Sequence, residues 1–64
     1  PDLRRRAIRR ICDAALAEAG LAARVTEVVE DKKRGLVAQL APRADEAAVQ
    51  AVMGRFTTAW DWQP

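Results

Sequence analysis

Nothing in this chain can staple it. Its only cysteine is Cys12 and it contains no histidine. Neither an internal disulfide nor a structural zinc site of the usual Cys/His kind is therefore open to it. Below about 70–80 residues such staples commonly supply what a small core cannot, and this chain has 64 residues. Side-chain packing must do the work, and large apolar side chains are scarce, because 14 of the 32 apolar residues are Ala. A chain of this size buries only about 60% of the surface its unfolded form exposes. Three solutions follow: tight helix packing, a homodimer, or a piece of a larger parent chain. Pro1 in place of Met suggests a processed or trimmed chain, or one with further residues ahead of it.

The apolar spacing reads as helix, hairpin, helix, forming one small domain over 1–64. Over about 2–19, Leu3, Ala7, Ile8, Ile11, Cys12, Ala15, Leu16 and Ala19 recur at three- and four-residue intervals, which gives one broad helical face. Asp2 is placed as N-cap. Gly20 is placed as the residue after the C-cap, free to take positive φ, and Leu21 would then pack on Leu16. Over about 23–41 the character changes to β-branched and large apolar residues: Val25, Thr26, Val28, Val29, Leu36, Val37 and Leu40. They are interrupted by Glu30–Asp31–Lys32–Lys33–Arg34–Gly35, a charged turn with Gly35 at a left-handed position. Strict alternation puts Val25, Glu27 and Val29 on one face of the first strand and Thr26 and Val28 on the other. Pro42, lacking an N–H, ends the second strand.

Over about 46–60, with Asp45 as N-cap, the residues Val49, Val52, Met53, Phe56 and Trp60 fall at i, i+3, i+4, i+7 and i+11, a helical stripe. Gly54 inside that stripe suggests close approach of another backbone. The expected fold class is α+β, a small α-β-β-α domain with two helices packed on a β-hairpin. It also matches the centre of a split βαββαβ unit without its two flanking strands. Ile8, Ile11, Leu16, Val52, Met53 and Phe56 are the expected core.

Chemistry is poorly supplied. There is no His, Ser or Tyr, and the only hydroxyls are Thr26, Thr57 and Thr58. Cys12 lies on the apolar stripe and has no general base to activate it. Glu27, Glu30 and Asp31 do not have the spacing of a calcium loop. The expectation is a non-enzyme with no catalytic residues, cofactor, metal or small-molecule substrate. No stretch is long and apolar enough to cross a membrane and no signal peptide is present, so the expected compartment is the cytoplasm.

Charge is balanced, at +2 from eleven basic and nine acidic residues, but its placement is uneven. Arg4, Arg5, Arg6, Arg9 and Arg10 crowd the first half of a helix, where the macrodipole already disfavours cations. An anionic ligand or partner carboxylates would relieve that conflict. Arg5, Arg6, Arg9 and Arg10, with Lys32, Lys33 and Arg34 at the turn, are the candidate contacts to an anion or nucleic acid. Trp and Arg are common interface anchors, and Trp62 lies beyond the helical stripe, which makes Phe56, Trp60 and Trp62 the candidate protein interface. The leading expectation is a protein-interaction or assembly module, acting as a homodimer or within a larger complex. The alternatives are a nucleic-acid-binding accessory protein and a regulatory or structural subunit of an enzyme.

Overall fold

The computed structural model describes residues 2–64. They form α1 (Leu3–Glu18), β1 (Arg24–Asp31), β2 (Gly35–Ala41), α2 (Glu46–Gly54) and β3 (Ala59–Trp62). The first helix begins and ends on local chemistry that the sequence announces. The Asp2 carboxylate accepts from the backbone N–H groups of Arg4 and Arg5, at 3.0 and 3.2 Å. At the other end Gly20 takes φ 77°. The Gly20 N–H donates to the Ala17 carbonyl and the Leu21 N–H to the Leu16 carbonyl, both at 3.0 Å. This pair of bonds is a Schellman closure, and it satisfies carbonyls that a helix end otherwise leaves bare. Leu21 packs against the core that holds Leu16.

The hairpin pairs β1 with β2 antiparallel, from Arg24 opposite Ala41 to Asp31 opposite Gly35. Its turn is held by Asp31, whose carboxylate accepts from the N–H groups of Lys33 and Arg34 at 2.9 and 2.8 Å. Gly35 sits at φ 79°, a conformation that favours glycine. The alternation expected in β1 is not what forms. Val25 pairs with Leu40 and Glu27 with Gln39, so Thr26 is an extra residue in the ladder. This β-bulge resets the period of two. Val25 and Val28, three apart, both face the core, while Glu27 and Val29 share the opposite face.

The second helix is shorter than its apolar stripe. It ends at Gly54 rather than near residue 60, through a turn in which Thr57 is left-handed at φ 52°. Two β-branched residues, Thr57 and Thr58, follow and disfavour further helix. Trp60 then belongs to β3, which pairs in parallel with β2 through Val37–Ala59, Ala38–Trp60, Gln39–Asp61 and Leu40–Trp62. The stripe misleads because the inner sides of α2 and β3 look onto the same core, so apolar residues keep recurring through the turn. Gly54 meets no foreign backbone. The nearest atom to a side chain there would be the Gln50 amide nitrogen of its own helix, at 3.4 Å.

The sheet order is β1-β2-β3. The fold is α+β, and the α-β-β-α order expected from sequence is present with β3 added. That strand is the closing one a split βαββαβ unit carries after its second helix, here lying directly beside β2. The core joins both helices to one side of the sheet: Cys12 and Leu16, Val25, Val28, Ala38 and Leu40, and Val49, Val52 and Met53. Of the expected core, Leu16 and Met53 are fully enclosed, Val52 is buried, and Ile8 and Phe56 are half-buried at the margin. Ile11 is not core, since it remains 48% exposed. Among the described residues no helix is long and apolar enough to cross a membrane.

Candidate interaction surface on the first helix

The apolar face of α1 is wider than the sheet can cover. Cys12 and Leu16 point inward and are buried. Leu3, Ala7 and Ile11, spaced by four, form a ridge turned away from the core, with Leu3 72% exposed. Between this ridge and the turn after α2 runs an apolar groove of about 270 Å³, lined by Ala7, Ile8, Ile11, Cys12, Phe56 and Thr58. No charged residue lines it. On the other side of the ridge the open outer face of α1 carries Arg6, Arg9, Arg10 and Asp13. The ridge thus has an apolar flank on one side and a basic flank on the other.

Cys12 lies at the floor of the groove. Burial pushes its thiol above the ordinary range, a hydrogen bond with Thr58 opposes this, and the nearby Asp13 charge adds to the rise. A thiol held protonated is a poor nucleophile and a poor metal ligand. Among the described residues no group of three or more His, Cys, Asp or Glu is placed to hold a metal ion.

The basic residues separate into those with structural partners and those without. Arg5 pairs with Asp2 at 3.0 Å and approaches Glu30 at 3.9 Å, which brings the start of α1 beside the far end of β1. Arg9 donates to the Thr26 carbonyl at the bulge. From the next turn of α1, the Asp13 carboxylate accepts from the Val25 N–H at 2.7 Å. Arg9 and Asp13 therefore hold two backbone groups of β1 at the bulge from α1. Arg34 forms a two-pronged pair with Asp61, at 3.0 and 2.9 Å, and lies 3.7 Å from Asp31. It ties the hairpin turn to β3 across the sheet face opposite the core. Val37, on that same face in the middle strand, is only 1% exposed. Of the candidate anion contacts, Arg5, Arg9 and Arg34 are thus committed within the fold. Arg6, Arg10, Lys32 and Lys33 make no ion pair among the described residues.

The candidate protein interface of Phe56, Trp60 and Trp62 is not one surface. Phe56 lines the groove, with the Arg55 guanidinium 5.3 Å from its ring centre. Trp62 is not a projecting tail. It and Trp60 stand in β3 on the core side, edge to face with ring centres 5.0 Å apart. Their indole N–H groups donate to α2, Trp60 to Gln50 at 2.8 Å and Trp62 to Glu46 at 3.2 Å. Their work is to fasten β3 to α2. Leu3 and Ile11, absent from the expected interface, are the large apolar side chains left exposed among the described residues. The signal for them was the width of the apolar face of α1, seven residues in less than five turns.

The Arg34 pairs carry a pH signature. A hydrogen bond from Arg34 holds the Asp61 carboxyl below its usual range, and the backbone N–H groups of Arg34 and Lys33 do the same for Asp31. Because these values are lowered in the folded chain, the linked stabilisation is fully present above the ordinary carboxylate value of about 3.9. It is lost as pH falls through the folded values. Both pairs are solvent-exposed, so the effect on stability is small. In a carboxyl-detected NMR titration Asp61 is expected to titrate below free Asp, and Arg34→Ala to bring it back up. An unchanged midpoint in the variant would remove Arg34 as the cause.

Comparison with known proteins gives no matching family model, no matching curated sequence and no matching solved structure.

Proposed function

We propose that this chain is a small protein-interaction or assembly module that binds its partner through the outer side of α1 and the groove beside Phe56. One observation carries this reading: Leu3 and Ile11 stay exposed next to an apolar groove, in a chain whose core is short of large side chains. A folding domain with so few of them gains by burying these two, and a ridge of apolar residues at helical spacing matches the way helices dock on helices. No catalytic role is proposed, since no general base accompanies the protonated thiol. A single buried cysteine and no disulfide suit a reducing compartment such as the cytoplasm.

The test is a selection of displayed helical peptides on the immobilised domain, with Leu3→Ser/Ile11→Ser as counter-target. Both positions are exposed, so this double variant is expected to keep its far-UV circular dichroism and to melt within a few degrees of the parent. Peptides retained by the parent and lost by the variant are the expected outcome. A selection that yields no peptide dependent on Ile11, together with a protein that sediments as a monomer at every concentration, would overturn the reading.

A second reading, a nucleic-acid accessory role, is favoured by Arg6, Arg10, Lys32 and Lys33, four cations that make no ion pair among the described residues. Net charge is low and the sheet face opposite the core carries Glu27 and Asp61. We expect no binding to generic duplex or single strands tighter than about 10⁻⁴ M at physiological salt. Micromolar binding with a steep salt slope in fluorescence anisotropy, flattened by replacing Arg6, Arg10 and Lys33, would make this the primary reading.

A further inference from the structure

The charges around the α1 ridge say what kind of partner fits it. The groove has no carboxylate in its lining. The outer face of α1 on the other flank carries one, Asp13, and that group is already bonded to the Val25 N–H. Arg6 and Arg10 stand one helical turn apart, about 6 Å along the axis, with no ion pair of their own among the described residues. Across the groove, Arg55 lies over the Phe56 ring. The ridge of Leu3, Ala7 and Ile11 is therefore bordered by cations whose anions are missing.

Three occupants can be compared on these facts. A second copy of the chain, meeting this face about a two-fold axis, would place the patch against itself. Arg6 and Arg10 would then confront the same cations, and like charges brought together at an interface are strongly disfavoured. A nucleic-acid backbone would satisfy Arg6 and Arg10 but leave Leu3, Ile11 and Phe56 facing sugar and phosphate. A helix with an apolar stripe and carboxylates at i and i+4 along one border satisfies both flanks at once. Its apolar residues enter the groove, and its carboxylates meet Arg6 and Arg10.

We infer that the groove between α1 and Phe56 receives an acidic amphipathic helix of a partner protein. The inference rests on the interaction-module reading and adds to it the chemistry of the partner. It is testable without knowing that partner, using designed helical peptides of about 18 residues, long enough to hold helix with strong formers. One carries a Leu stripe bordered by Glu, the second has Lys in place of each Glu, and the third scrambles the Glu peptide so that no stripe remains.

Titrated into the ¹⁵N-labelled domain, the Glu peptide is expected to shift the amide resonances of Ala7, Ile11 and Phe56. It should bind about tenfold more tightly than the Lys peptide, since two rim charges change from attraction to repulsion. Arg6→Glu/Arg10→Glu, at two exposed positions, is expected to keep the fold by circular dichroism and to invert the preference. Equal binding of the Glu and Lys peptides with shifts at Ile11 and Phe56 would overturn the acidic partner and leave the interaction module standing. Equal binding of the scrambled peptide would overturn the helical occupant. No shift at Ile11 or Phe56 with any peptide would overturn the inference and count against the module as well.

Discussion

Leu40→Ala is expected to lower the melting temperature by more than about 10 °C, or to abolish cooperative unfolding altogether. Leu40 is wholly enclosed. It stands in the central strand, opposite Val25 on one side and Trp62 on the other. Removing a buried Leu side chain to Ala costs about 2–5 kcal/mol. A domain of this length has a total stability of only about 3–10 kcal/mol, at 0.05–0.15 kcal/mol per residue, and each kcal/mol moves a melting point by about 4–8 °C in the smallest domains. Thermal and urea unfolding followed by far-UV circular dichroism measure this directly. Phe56→Ala, which the helical stripe makes look equally severe, should cost clearly less, because Phe56 is half-buried at the groove. A Leu40→Ala protein that melts within a few degrees of the parent, or a Phe56→Ala protein that loses more, would contradict this placement of the core.

The second large effect is expected at Asp13. Its carboxylate is the acceptor for the Val25 N–H, a backbone group of the edge strand next to the bulge. Hydrogen bonds to charged groups contribute about 1.5–3 kcal/mol, and losing one partner strands the other. Asp13→Ala should therefore destabilise by about that amount. Asp13→Asn, which keeps an acceptor oxygen but not the charge, should recover part of it. Arg9 holds the neighbouring Thr26 carbonyl, so Arg9→Ala and Asp13→Ala should be non-additive in a double-mutant cycle. Hydrogen exchange gives a local check, because the Val25 amide should lose protection in Asp13→Ala beyond the global loss of stability. Additive effects, or a Val25 amide no more labile than its neighbours, would show that the two side chains do not act on the bulge together.

The parts of the fold legible in the sequence are those written in local chemistry. Asp2 and Asp45 cap, Gly20 and Gly35 take left-handed conformations, and the charged run ahead of Gly35 turns; each is decided within a few residues. What escaped depends on distant groups. The bulge at Thr26 is stabilised from α1, twelve and more residues away, and no periodicity within β1 encodes that. β3 was hidden because Trp60, facing the same core as α2, continues the helical spacing, and because a four-residue strand is too short to show alternation. The candidate site divides the same way. Arg6 and Arg10 could be picked out as cations, but whether an Arg is free or committed depends on who reaches it. Arg5, Arg9 and Arg34 look identical in sequence and are all engaged. The exposed ridge was visible only as an excess of apolar face, and assigning Ile11 to the core was the natural reading until the sheet proved too narrow to cover it.

The seam between β3 and α2 also makes the molecule its own optical gauge. Its two Trp residues are accompanied by no Tyr and one Phe, so nearly all its near-ultraviolet absorption arises from Trp60 and Trp62. Indoles held edge to face at this distance couple their transition dipoles, and the resulting circular dichroism depends on their mutual orientation. That signal exists only while β3 holds both rings against α2, whereas the far-ultraviolet signal is dominated by the longer α1. A single unlabelled sample thus reports two regions at two wavelengths. The order in which they give way on heating can be followed without attaching a probe or changing a residue.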